Sequence, residues 1–191
     1  WKVDNDKGGS QEAAIVGNGL KPSEDKESAI LAVLKSGTAG DSPPFSEGAY
    51  TAIVTGKNNT TGVGLAEVYN LGVASFDEAS NAYLANISTR GKVQTGDNVM
   101  IGGFILGGGE GDSADVVVRV LGPSLTPYGV TGALTNPTLE LRNGNGDLIR
   151  ANDNWKENQQ TEIEATGLQP SNNMESAVSE TLPPGAYTAI V

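Results

Sequence analysis

Any chemistry in this chain falls to carboxylates, because none of its 191 residues is histidine or cysteine. Without His the commonest general base at neutral pH and the commonest zinc ligand are gone. Without Cys there is no disulfide and no thiolate metal site. Asp4-Asn5-Asp6-Lys7-Gly8-Gly9 alternates carboxylates ahead of a glycine, as short calcium loops begin, but it lacks the distal bidentate Glu of an EF-hand. A solvated acidic loop is its plainer account. Asn152-Asp153-Asn154 could supply oxygen ligands too, although capping the helical turn that follows is the simpler role. Asp4, Asp6 and Asp153 are therefore the candidate metal ligands, and calcium is the one candidate cofactor.

Acid–base catalysis would need two carboxylates, as in a glycosidase. Glu27 and Glu175 occupy equivalent places in the two copies, each opening a Glu-Ser-Ala string, but a catalytic acid repeated in every unit would be unusual and no pair stands out. A Glu at a strand start that accepts backbone N–H bonds explains both more plainly. Ser124 has no His or Lys near it in sequence to act as its base. Gly107–Gly111 lacks the Gly-Lys-Ser/Thr ending of a phosphate loop. Gly144-x-Gly146-Asp147 is a single copy, whereas calcium-binding β-rolls need tandem nonapeptides. The residue inventory points away from an enzyme.

The elements that must position these residues come in two copies. Ala-Tyr-Thr-Ala-Ile-Val occurs at 49–54 and at 186–191, and Leu20–Ile30 aligns without gaps on Leu168–Val178. Trp1-Lys2 answers Trp155-Lys156, the only two tryptophans in the chain. An exposed Trp could form a carbohydrate platform, but packing over one end of a β-structure is the preferred reading. The offsets between copies fall from 154 to 148 to 137, so the first copy carries about six and then about eleven extra residues. Such insertions belong in surface loops, where added length costs little closure entropy.

Alternation and composition predict strands at Ser28–Leu34, Tyr50–Thr55, Gly62–Tyr69, Tyr83–Ser88, Asn98–Leu106, Ala114–Leu121, Thr138–Arg142, Leu148–Ala151, Ser176–Leu182 and Tyr187–Val191. The near-continuous valines of Asp115–Val120 read as a strand at a sheet centre or buried on both faces. Asn143-Gly144-Asn145-Gly146-Asp147 predicts a hairpin. Gln160–Gly167 and its counterpart Gln11–Gly19 predict short helices ending on glycine. The fold class expected is all-β, with antiparallel β-sandwich modules in tandem and short helical turns.

A net charge of −11 excludes a nucleic-acid partner, whose phosphates it would repel. No apolar run is long enough for a membrane-spanning helix, so membrane insertion is not expected. No leader is visible and the chain opens on Trp1, which implies processing or a part of a longer protein.

The ordered strings Ile87-Ser88-Thr89-Arg90-Gly91, GDNVMIGGFI, RVLGPSL, PTLEL, ANDNW, PPGAYTAIV and TTGVGLAEVY resemble a repeat module of large secreted and surface-anchored bacterial proteins. That module is similar to the pre-peptidase C-terminal β-sandwich. The resemblance covers roughly 82–191 and, out of phase, 1–72. It implies extracellular or cell-surface display, adhesion or spacing, and brings no catalytic residues.

Residues 1–72 then form the C-terminal part of one β-sandwich repeat, 73–81 a linker, and 82–191 most of the next repeat. The strand Gly62–Tyr69 follows the first Ala-Tyr-Thr-Ala-Ile-Val, and a neighbour or following repeat is expected to supply its equivalent to the second copy. An open edge recruits a strand, and a heterologous head-to-tail contact gives a filament. The expected interface is Val63, Leu65, Val68, Tyr69, Tyr187, Ile190 and Val191, and the expected partners are copies of the chain itself. Three arrangements satisfy the phase: exchange of the Gly62–Tyr69 strand, a window onto a longer covalent array, or a permuted single sandwich that passes its tail Trp155–Val191 to a neighbour. The function expected is a structural subunit of an extracellular filament or giant surface protein. The alternative is a carbohydrate- or calcium-dependent binding module on a secreted enzyme, with surface glycans as partners.

Overall fold

The computed structural model describes residues 4–5, 9–10, 12–23, 28–30, 50–55, 57–62, 64–69 and 86–191. The chain divides into two compact units, Trp1–Ile87 and Ser88–Val191. Its regular structure is mostly strands in antiparallel sheets with few helices, so the fold is mainly β.

In the first unit, β1 (Asp4–Asn5) pairs antiparallel with β2 (Gly9–Ser10), and α1 (Glu12–Gly17) follows. Ile15 of that helix is buried. The expected strands at 28–34, 50–55 and 62–69 are not formed by those of their residues that are described. The physical reason is pairing. The string that forms no strand over 50–54 builds one in the second unit, where two other strands flank it. Those flanking segments have no second copy among the 191 residues.

The second unit contains six strands. β3 (Ile101–Leu106), β5 (Leu139–Asn143), β6 (Leu148–Asn152) and β8 (Gly185–Ile190) form one sheet in the order β3-β8-β5-β6. β4 (Ala114–Val120) and β7 (Ser176–Leu182) form a second, two-stranded sheet, paired from Ala114↔Leu182 to Val120↔Ser176. Every pairing is antiparallel. The alternation anticipated for Leu139–Arg142 is realised: Leu139 and Leu141 are buried, while Glu140 and Arg142 lie on the other face and form an ion pair at 2.7 Å. Both sheets contribute to one apolar cluster. Val120, Val178 and Leu182 meet Leu139, Leu141, Tyr187 and Ala189, with Phe104, Leu106, Val116, Val118, Ile149 and Val191 packed around them. Phe104 stacks on Tyr187 with ring centroids 5.3 Å apart.

Two expectations are corrected here. The valine run of β4 is not a sheet centre: β4 has one partner, and Val116, Val117 and Val118 are only half-buried. No strand forms at 86–88, whose residues are exposed.

The β5–β6 connection is the expected hairpin. Asn143 N–H donates to the Asp147 carbonyl at 3.0 Å, and Gly146 sits at φ +86, a conformation that glycine adopts without strain. The Asn143 side chain binds both ways along the turn. Its Oδ1 accepts from Asn145 N at 3.0 Å and Asp147 N at 2.9 Å, and its Nδ2 donates to Asp147 Oδ2 at 3.0 Å. Asn143→Ala should lower stability by about 1–2 kcal/mol, measured as a shift in the urea midpoint at constant m. An unmoved midpoint would mean that water replaces all three bonds.

α2 (Gln160–Ala165) is closed by Gly167 at φ +70, and α1 is followed by Gly19 at φ +73. Ile163, fully buried, stands 148 residues after the buried Ile15. The two aligned segments thus take the same local structure.

Candidate functional site

The polar groups of the second unit converge where β7 begins. Glu175 is completely buried, one residue before that strand. Its Oε1 accepts from the Gly122 N–H at 2.9 Å, the Ser124 N–H at 3.0 Å and the Ser124 hydroxyl at 2.5 Å. Its Oε2 accepts from the Asn172 N–H at 3.3 Å. The carboxylate is therefore a hub that ties two loops to the start of a strand, as expected of a Glu in that position. Fully buried, it is closed to a substrate, and among the described residues its hydrogen-bond partners are the backbone of two loops and one hydroxyl. Glu27, its counterpart in the first copy, lies outside the described residues.

Ser124 is committed to the same hub. Its hydroxyl proton points at Glu175, but that oxygen already accepts two backbone N–H bonds, so the pair is not a nucleophile with its base. Gly122 makes the approach feasible, since a Cβ there would run into the Leu134 carbonyl.

Next to the hub, the Ser176 hydroxyl lies between the carbonyls of Pro137 and Asp153. Trp155 is 3 % exposed and packs with Ile163 and Ala177. Its indole N–H donates to the Asn172 carbonyl at 3.1 Å, and its backbone N–H donates to the Glu175 carbonyl at 2.9 Å. The Lys156 ammonium reaches its ring from outside, 5.1 Å from the centroid. Packing is thus its role, and a buried ring cannot serve as a sugar platform.

The Asn-Asp-Asn motif departs from expectation. It does not cap α2, whose N-cap is Gln159 and carries no side-chain cap bond. A turn at 155–158 intervenes. Asn152 is buried and faces the outer edge of β7, where its Oδ1 accepts from the Ala177 N–H at 3.0 Å. Gln159 does the same two residues along: its Nε2 donates to the Ser179 carbonyl at 2.7 Å and its Oε1 accepts from the Ser179 N–H at 3.1 Å. One amide thus replaces a whole ladder partner. These side chains blunt an edge that would otherwise template another strand.

Asp153 is exposed, and among the described residues no group of three or more acidic side chains stands close enough to hold a metal ion. Asp4 lies in β1, and Asp6 falls outside the described residues. The Gly107–Gly111 loop is held by Asp112, whose Oδ2 accepts from the Gly109 N–H at 2.6 Å.

The expected interface residues divide. Tyr187 is buried in the core and donates its hydroxyl to the Pro183 carbonyl at 2.7 Å, while Val191 packs on the core edge. Ile190 is half-buried on the opposite face of β8, paired with Ile101. Leu65, Val68 and Tyr69 are 85 %, 61 % and 52 % exposed, and Val63 lies outside the described residues. The Tyr69 hydroxyl donates to Glu67 Oε1 at 3.1 Å, and that neighbouring carboxylate raises the phenol above its ordinary value of 10.0. Comparison with protein-family models, curated proteins and solved structures finds no match.

Proposed function

We propose that this chain is a structural subunit of an extracellular bacterial filament or giant surface protein. Its units are β-sandwich repeats that associate head to tail through β-strand complementation. The work is mechanical, namely spacing, adhesion or matrix formation, and the chain carries out no catalysis.

One observation supports this reading above the others. The motif Ala-Tyr-Thr-Ala-Ile-Val supplies Ala186–Ile190 of β8, the second strand of a four-stranded sheet, yet it forms no strand at 50–54. The apolar segment after that first copy is equally exposed at Leu65 and Val68. Strand-forming sequence that forms no strand is what a repeat out of phase presents, and main-chain ladders are the means by which such segments are recruited. The shared core of the two sheets in 88–191 supports reading that unit as a sandwich. Extracellular placement follows from the resemblance of the module strings alone. The binding-module alternative is weaker, because the buried Trp155 removes its platform and Asp153 has no co-ligands among the described residues.

Sedimentation velocity on the full chain at neutral pH, over a hundredfold range of concentration and without ligand, tests the reading. Species growing in steps of 19.6 kDa, seen as end-to-end particles by negative stain, are the expected result. A single 19.6 kDa particle throughout would overturn it.

A further inference from the structure

We propose that the outer edge of β4 is a strand-acceptor site and that residues Gly62–Tyr69 of a second copy of this chain fill it. This rests on the head-to-tail reading and specifies its joint.

The direction of the free backbone groups follows from the caps on β7. Ala177 and Ser179 turn their N–H groups away from β4, because Asn152 and Gln159 bind them from the other side. In an antiparallel pair the residues opposite such positions also point their groups away from the partner. Those residues are Arg119 and Val117, and Asp115, opposite Thr181, continues the series. Among the described residues no hydrogen bond reaches the backbone N–H or C=O groups of these three on that side. β7 is closed by two side-chain amides, while β4 in the same sheet is left open.

The core is unfinished beside that edge. β7 lies over the β6 end of the larger sheet, tied by the Arg150–Glu180 ion pair and by Asn152. β4 therefore lies toward β8 and β3. Phe104 and Leu106 beyond it, and Val116 on β4 itself, are only partly buried, although they point at the core. A third strand beside β4 would roof them. The outer edge of β3 is also open, but a strand there would extend the sheet away from these side chains. The valine run of β4 is a second pointer, because near-continuous valines suit a strand more fully covered than β4 is here.

The occupant is chosen by length and phase, and Glu67 sets which face it turns inward. Eight residues, Gly62–Tyr69, match the seven of β4. They follow the first Ala-Tyr-Thr-Ala-Ile-Val, whose second copy is a core strand of this unit. In an extended strand Val63, Leu65, Glu67 and Tyr69 share one face, the last two being hydrogen-bonded, and Gly62, Gly64, Ala66 and Val68 share the other. Burying Glu67 against valines would leave a carboxylate unpaired, so the Ala66/Val68 face turns inward.

Two variants of the full chain test this by sedimentation. Val68→Asp destroys the donor and leaves the acceptor. Val117→Pro removes an outward N–H without removing a bond to β7, and an outward N–H on an edge strand is a position where proline is tolerated. Each alone should remain a single chain, and an equimolar mixture should give two-chain particles and nothing longer, a result that misfolded variants could not produce. Variants that still form long particles would overturn the β4 joint while leaving head-to-tail assembly in place. Single variants whose mixture stays single would overturn it as well. A parent chain that stays single would end the head-to-tail reading. If a synthetic 57–70 peptide then binds that parent but not Val117→Pro, the site stands with a covalent neighbour as its source and the second copy is ruled out.

Discussion

Glu175→Ala should destabilise the unit 88–191 by about 3–5 kcal/mol, the range expected when a buried charged acceptor is taken from its donors. The carboxylate is fully buried, and three backbone N–H groups, of Gly122, Ser124 and Asn172, point at it. Alanine would leave all three without their buried acceptor. Domains of this size are stable by about 5–15 kcal/mol, so the variant should lie close to its unfolding threshold at 37 °C. Glu175→Gln should cost less, about 1–3 kcal/mol. Its amide oxygen can take the place of Oε1 and keep three donors, but its NH2 then faces the Asn172 N–H. Urea or thermal unfolding of the two variants beside the parent measures both losses. If the alanine variant came within about 1 kcal/mol of the parent, the hub would not be structural. A buried carboxylate without a structural task would then have to be reconsidered as a chemical group.

Glu175 also shows how much a sequence of this kind reveals. A Glu at the start of a strand, repeated in both copies, is economically read as a backbone anchor, and that is its role here. The strands of the second unit are legible for a similar reason, since Thr138–Arg142 and Ser176–Leu182 carry alternation or β-branching bounded by turn residues. Among the described residues of the first unit the same signals overstate the strand content, because a strand pattern reports the ability to pair and says nothing about the presence of a partner. Ala-Tyr-Thr-Ala-Ile-Val makes this plain, being a core strand in one place and no strand in the other. The edge caps escape local rules altogether. Those rules see Asn152 and Gln159 only as a loop residue and a helix start, whereas their partners lie 25 and 20 residues away on β7. A signal does exist for one of them. Between Gln11–Leu20 and Gln159–Leu168 only Gln, Ile, Gly and Leu recur at the same places, and the Ile and Gly prove to be the buried contact and the helix stop. A Gln retained in that company is a candidate for a fixed contact. The valine run of β4 has the pattern of a central strand and the position of an edge strand, and that discrepancy is the reason to look for a missing neighbour there.

Trp155→Ala should cost the same unit about 3–5 kcal/mol, the usual loss for a large buried aromatic. The indole fills the space between the helix residue Ile163 and the strand residue Ala177, so its removal leaves a cavity that neither element can close. Trp155→Phe separates packing from polarity. Most of the apolar contact remains, but the bond from the indole N–H to the Asn172 carbonyl is lost, which should cost about 1 kcal/mol on top of the smaller volume. Asn172 also donates its N–H to Glu175, so Trp155 and Glu175 grip one loop from two sides. Residues sharing a partner in this way should couple. A double-mutant cycle of Trp155→Phe with Glu175→Gln should therefore show an interaction energy of about 0.5–3 kcal/mol rather than additivity. Denaturant unfolding of the four chains measures it. If the losses simply add and Trp155→Ala leaves the midpoint unmoved, the ring is dispensable for packing, and a binding role for it would have to be taken up again.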